Sequence, residues 1–509
     1  MLSPSLAATT FFLVASMNTP LAAPPEPGVS VTVYSSADPT GFDVQQFVGQ
    51  QRLGGNPNFA WQVPGFGVVK EVRKITLAPG QTELRFTDVA AFIDPTTVSF
   101  ADLGDGKATV LEQNFEFDLV SPEKLLQRYI DRPVRLVRFN GEARDEIAGI
   151  LLSAAGGQLV VRVGDSIQMI PQQDTQVALG ELPGGLITRP TLVWKLAGAA
   201  PGDRLIRTTY QTSGITWKAD YNLVLSENET TADLAAWVTL LNLSGAAYPN
   251  ATLKLIAGDV QRIQPRPPAP MMRGRAELAM AVADAGFEEK SFFEYHLYTL
   301  PRRTDILSNT SQQITLFPTA RSVPVQKILL LDSLAGFGDI GWGRDPFTDR
   351  SMGIGDPARF DVILRFVNDE QSGLGRPLPR GRVRVFKQDD ADGTLEFVGE
   401  DLIDHTPRNE KVQLRVGRAF DVVATRTQVD FTLDSGRRTM TETIRIELRN
   451  RKTVAQDVLV RERLFRWSTS EVVRSTPEAR RADARTLEWD INVPADGTSI
   501  VEYTVRYTW

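Results

Sequence analysis

With no Cys and two His, what remains for catalysis in this chain is carboxylates, Ser, Tyr, Lys and Arg. In the string Glu294-Tyr295-His296-Leu297-Tyr298, Glu294, His296 and Tyr298 fall on one face of a period-two strand. Such a polar and aromatic face can bind a sugar; a satisfied, half-buried polar row is the plainer reading and the preferred one. Asp220, Asp259, Glu294 and Asp305 could supply the paired acids of a glycosidase, which stand roughly 5–10 Å apart. With 62 Asp and Glu in 509 residues, however, such pairs arise by chance. Asp220, Tyr221, Asp259, Glu294, His296 and Tyr298 are therefore carried forward as binding candidates, with no catalytic residue assigned.

Other chemistries are excluded by composition. The chain has no Cys, which removes disulfides, thiolate nucleophiles, iron–sulfur clusters and Cys-rich zinc sites. Its two His, His296 and His405, cannot build a three-His metal site, and neither metal nor cofactor is expected. The net charge of −6 and the scattered 44 Arg and 12 Lys give no basic stripe for nucleic acid. The Arg excess fits carboxylate recognition, with codon bias as the plainer explanation.

Three strings imitate known sites. Gly336-Phe-Gly338-Asp-Ile-Gly341 follows a strand-like Ile328–Leu331 and has Asp361 20 residues on, as a dinucleotide fingerprint would. The next stretch, with Gly343, Pro346, Gly353, Gly355 and Pro357, cannot form the helix that must meet the pyrophosphate, so 331–354 is expected to be a glycine-rich loop. Ser121-Pro-Glu-Lys124 lacks the companion Ser-Asp-Asn and Lys-Thr-Gly elements of penicillin-binding enzymes and reads instead as a helix cap. Asp389-Asp390-Ala-Asp392-Gly393 could hold calcium but reads as a hairpin tip.

The elements that would position a site are mostly strands. Val501, Tyr503, Val505, Tyr507 and Trp509 alternate with polar residues, as do Ile444, Ile446 and Leu448, and Val383 and Val385. Asp-Gly and Asn-Gly turns at 105–106, 140–141, 392–393 and 496–497 join such runs. One helix is well signalled: Ser121 as cap, Pro122 at its first position, Glu123 in its first turn, and Leu125, Leu126 and Tyr129 as its apolar stripe. The short alternating runs after it predict a small SH3-like barrel inserted at about 131–180. Prolines between 265 and 270 predict a stiff linker over 264–275, with a second candidate helix at 276–285. Asn228, Asn242, Asn250 and Asn309 read as turn residues.

Residues 1–23 carry no charged side chain, and the apolar run 6–17 followed by small residues near Ala23 predicts a secretory signal peptide. No later run is long enough for a transmembrane helix. The terminal aromatic strand resembles the closing strand of an outer-membrane barrel, but the other strands are too short and charged for one.

Specific strings then carry a family resemblance. Residues 68–73 (VVKEVR), 93–98, 111–119, 210–221 (YQTSGITWKADY), 242–245, 257–260, 294–300 (EYHLYTL), 381–386, 399–401, 404–407 and 417–421 are similar, in order, to bacterial proteins carrying the domain of unknown function 4139. That domain also occurs in the more distant mucoidy-inhibitor-type proteins. The resemblance implies an exported, β-rich envelope protein and no reaction; residues 35–66 depart from it as an insertion.

The resulting expectation is a mainly β chain of tandem antiparallel sandwich-like domains with the barrel insert and few helices. Its modules would span 29–185, 186–330 and 355–509. The expected role is non-catalytic binding or scaffolding of a glycan or envelope protein in the periplasm or cell envelope. A carboxylate-dependent hydrolase of envelope polysaccharide is the alternative.

Overall fold

A computed structural model describes residues 26–509 except 36–41, 53–61, 105–107, 141–142, 185, 199, 259, 261–286, 293–294, 333, 335–344, 353–357 and 390. The expected signal peptide, the 264–275 linker, the 276–285 helix, the fingerprint glycines, Asp259 and Glu294 lie outside the described residues.

The mainly β expectation holds: strands dominate, and the described residues contain two helices, Val44–Arg52 and Pro122–Arg128. Alternation sends the apolar residues of successive strands inward, and the sheets stack to cover them. One sheet runs in the order Glu288–Phe292, Tyr295–Thr299, Tyr248–Ala257, Gly28–Tyr34, Phe66–Leu77, Gly202–Thr212, Ile93–Asp102. A second, five-stranded sheet runs Thr310–Pro324, Thr231–Asn242, Ile215–Leu225, Gly381–Gln388, Leu395–Ile403. Together with the three-stranded sheet Glu83–Thr87, Thr191–Ala197, Thr109–Glu116, these enclose one continuous core from Val31 to Leu414. The first of these sheets draws strands from both sides of the expected border at 185/186, and the second from both sides of that at 330/355.

The C-terminal sheet has nine strands and its own core. Its two edge strands, Ser470–Thr476 and Arg480–Asp483, are consecutive in the chain but do not pair, so the sheet curls back and leaves an open seam between them. Arg481 Nη2 donates to the Ser470 hydroxyl across that seam at 3.1 Å. Most pairing is antiparallel, but Gly28–Tyr34 with Tyr248–Ala257, Ile215–Leu225 with Gly381–Gln388, and Gln326–Asp332 with Gln456–Arg463 run parallel.

The insert forms as a separate five-stranded sheet over 133–178, in the order Thr175–Ala178, Pro133–Asn140, Ala143–Ala155, Gln158–Val163, Ser166–Pro171. It stays open between its first and last strands rather than closing as a barrel. Leu126 of helix Pro122–Arg128 and its C-cap Tyr129 share the core of this sheet with Leu136, Leu151 and Val161. Ser121 caps that helix by accepting from Lys124 N at 3.3 Å. The fingerprint fails in space as well as in sequence: Gln326–Asp332 and the following strand Ala358–Val367 pair antiparallel, which a βαβ unit cannot do. At the hairpin tip, Asp389 and Asp392 accept the backbone amides of Ala391 and Thr394, so their carboxylates build the turn.

Candidate functional site

The five-stranded sheet has one face in the core and one outside. In Ile215–Leu225, Trp217, Ala219, Tyr221 and Leu223 are buried in the core, while Lys218, Asp220 and Asn222 take the other face. Register brings Lys218 beside Thr239 and Asp220 between Trp237 and Arg382, and places Thr239 next to Gln313. Arg382 and Arg384 share this face because Val383 and Val385 occupy the core.

The helix Val44–Arg52 covers one end of the face. Asp43 starts it by accepting Gln45 N at 2.9 Å, and Phe42, Phe47 and Val63 pack on Leu241 and Leu243. Between helix and sheet lies a cleft of about 1000 Å³, lined by Asp43 and Gln45 from the helix side and by Lys218, Asp220, Thr239, Gln313, Arg382 and Arg384 from the sheet.

Asp220 is the electrostatic centre of the cleft. It is 6% exposed, its Oδ2 accepts from Thr239 Oγ1 at 2.8 Å, and its Oδ1 lies 3.5 Å from Arg384 Nη1 and 3.8 Å from Lys218 Nζ. Lys218 Nζ also sits 5.3 Å from the Phe42 ring centroid, close enough for a cation–π contact. A fixed carboxylate between two cations orders the donors of both, leaving a preformed set of hydroxyl, amide and charged groups.

The sequence-derived candidates separate in space. Asp220 lines the cleft, but Tyr221, one residue on, points into the core and donates to Pro379 O at 2.7 Å. Tyr298 is likewise buried, donating to Pro377 O at 3.0 Å. Burial pushes both phenols well above their ordinary range, Tyr221 also through Asp220 and Tyr298 also through Tyr221. The two hydroxyls clamp the Pro377–Pro379 backbone and offer nothing to a ligand. His296 lies on the other sheet, its Nδ1 2.7 Å from Glu289 Oε1. His405 Nδ1 accepts the Arg380 amide at 3.1 Å. Asp305 accepts the amide of Asn250 at 2.8 Å. Among the described residues no group of three or more acids and His is placed to hold a metal ion.

Lys218, Arg382, Arg384, Thr239 and Gln313 were not singled out in the sequence. Their signal is alternation: Lys218 and Asp220 are two apart and share a face, whereas Asp220 and Tyr221 are adjacent and cannot.

The strand carrying the arginine pair depends on a close backbone approach. A Cβ on Gly381 would stand 2.3 Å from Ala219 O and 3.0 Å from Tyr221 Cε2. Gly381→Ala is expected to cost about 1–3 kcal/mol through forced displacement of the strand, read as a lower urea midpoint at unchanged slope.

Fold and site together define an all-β protein of stacked sandwiches with a polar cleft on an outward sheet face. The chain belongs to the family of the domain of unknown function DUF4139, whose profile matches residues 206–509. No curated relative matches the chain. The matched region contains all the sheet residues of the cleft, whereas Asp43 and Gln45 of the covering helix precede it. Among the described residues no helix is long and apolar enough to cross a membrane.

Proposed function

We propose that this chain is an exported envelope protein that binds a glycan in the cleft between helix Val44–Arg52 and the five-stranded sheet, without transforming it. The carrying observation is the wall chemistry: hydroxyl, amide and ion-paired groups, with Phe42 at one side, on a rigid sheet face. Sugars are bound by such arrays, because each ring presents several hydroxyls needing both donors and acceptors. The Leu6–Met17 run supports the envelope location.

Asp220 serves this reading as an anchor. Its oxygens are engaged by Thr239 and by two cations, an arrangement for holding charge in place rather than for cycling a proton. The other carboxylate in the wall, Asp43, caps the helix.

A glycan array probed with the full chain tests the proposal. Wild type is expected to be retained, and Lys218→Met with Gln313→Ala to lose at least fivefold in affinity at unchanged melting temperature. Retention that ignores both substitutions would remove the cleft from the function. Release of reducing ends from the bound glycan would replace binding by hydrolysis. Fusing residues 1–30 to a phosphatase that is active only outside the cytoplasm checks export, and an inactive fusion would overturn it.

A further inference from the structure

The charge in the cleft is unevenly satisfied. Lys218, Arg382 and Arg384 line it with Asp43 and Asp220, and Glu400 stands beside the two arginines. Asp43 is engaged with the helix start, and Asp220 is shared between Lys218 and Arg384. Arg382 comes no closer than 3.6 Å to Glu400, and Arg384 Nε stands 3.7 Å from the same carboxylate. These contacts lie beyond hydrogen-bond reach, and the 3.5 Å contact of Arg384 with Asp220 is at its limit. A guanidinium has five N–H donors in a rigid fork, so most of the donors on this pair are left to water or to a ligand.

The two arginines also have a fixed spacing. They sit two residues apart on one strand face, about 7 Å between Cα atoms. Each is about one-third exposed at its side chain, enough to reach a ligand and enough covered to lose little mobility on doing so.

From these observations we infer that the glycan is acidic and that Arg382 and Arg384, assisted by Lys218, take a sugar carboxylate; this rests on the glycan reading above. Planar guanidinium forks match a carboxylate bidentately, and such charge-assisted bonds are about twice as strong as neutral ones. Asp220 sets the upper limit on ligand charge. A singly charged uronate matches the open guanidinium donors, whereas a doubly charged phosphate would bring a second negative charge against the fixed Asp220 and the nearby Glu400. Asp220 and Gln313 remain as partners for the neighbouring hydroxyls.

The experiment uses the full chain with polygalacturonate and alginate, each compared with its methyl ester, by calorimetry at 50 and 300 mM NaCl. Wild type is expected to bind at least one acid polymer tenfold or more tighter than its ester, with the preference shrinking at high salt. Arg382→Gln with Arg384→Gln is expected to abolish that preference at unchanged melting temperature. Arg437→Gln, a control at a side chain that is 85% exposed far along the chain, should leave it intact. Equal binding of acid and ester would overturn the acidic assignment and leave the glycan reading standing. No binding to any of the four polymers would overturn both. A loss with Arg437→Gln equal to that of the cleft pair would reduce the effect to unspecific charge and overturn the assignment.

Discussion

Arg466→Met is expected to destabilise the C-terminal sandwich by about 3–5 kcal/mol, the range for breaking a buried ion pair from one side. Arg466 is fully buried and its Nε donates to Glu442 Oε2 at 2.9 Å. Its remaining donors reach Phe347 O at 3.0 Å, Asp349 O at 2.7 Å and Met352 O at 3.0 Å, so one side chain ties the 347–352 segment to the sheet. Methionine would fill the stem volume but leave the Glu442 carboxylate, 2% exposed, with hydrogen bonds from Gln428 at 3.1 Å and the Tyr507 hydroxyl at 3.4 Å and no cation nearer than the longer-range charge of Arg426. Urea unfolding followed by tryptophan fluorescence reads the loss. Adding Glu442→Leu removes the orphaned charge and should restore about half of it, while the three carbonyls stay without their donor. A single variant as stable as wild type would show that the pair carries no stability.

A second pair repeats the device. Arg426 Nε lies 3.0 Å from Glu462 Oε2, and the Tyr503 hydroxyl donates to the same oxygen at 2.7 Å. Burial pulls the Arg426 guanidinium downward, but Glu462 outweighs it and the net direction is up. Tyr503 and Tyr507 are pushed well above the usual phenol range, first by burial and then by Glu462 and Glu442 respectively. Both phenols therefore stay protonated and remain donors at any working pH.

This network marks how far the fold was legible from sequence. Alternation located the inward faces of Thr439–Asn450 and Thr498–Thr508, because buried apolar side chains recur every second residue. The same alternation puts Glu442 inward, in phase with Ile444 and Ile446, and an acid in that phase signals a buried partner. Which partner it meets was not legible: Arg466 lies beyond another strand, and only the curl of the nine-stranded sheet brings them together. The cleft was hidden for the same reason. Asp220 was among the candidates, but Arg382 and Arg384 reach it through a parallel pairing of strands about 160 residues apart. Helix Val44–Arg52, in a stretch read as an irregular insertion, was signalled only by Asp43 and by the Val44–Phe47 spacing. The family strings mix both roles: Trp217 and Tyr221 from YQTSGITWKADY and Tyr298 from EYHLYTL fill the central core, while Lys218 and Asp220 of the same YQTSGITWKADY string, and Arg382 and Arg384 of 381–386, line the cleft.

Asn450→Ala is expected to cost about 3 kcal/mol, since each buried carbonyl left unpaired costs roughly 1–3 kcal/mol. Asn450 is fully buried at the end of its strand, and its Nδ2 donates to Val454 O at 2.9 Å, Pro494 O at 3.0 Å and Val493 O at 3.3 Å. Its Oδ1 accepts Lys452 N at 3.0 Å. Asn242 makes the same local bonds, Nδ2 to Ala246 O at 2.9 Å and Oδ1 from Ser244 N at 3.1 Å. Each Asn is followed by a strand that pairs parallel with an earlier one, so the two sandwiches share a building plan at this corner. Asn450→Asp separates shape from hydrogen bonding. An ionised carboxylate cannot donate, and facing three carbonyls in a buried site its folded pKa is raised above the unfolded value of about 3.9. A raised folded pKa gives stability that is present below the unfolded pKa and lost as pH rises through the folded one. The deficit of Asn450→Asp against wild type should therefore be large at pH 7 and shrink toward pH 4. The wild type moves the other way. Burial raises the Glu488 carboxyl, but Arg461 and Arg480 outweigh it and hold it below the usual range, so its contribution is lost on acidification. Equilibrium unfolding of both proteins across pH 4–8 checks this. A deficit that stayed constant with pH would mean that Asn450 acts by shape alone, and an Asn242→Ala variant of wild-type stability would deny that the two corners are equivalent.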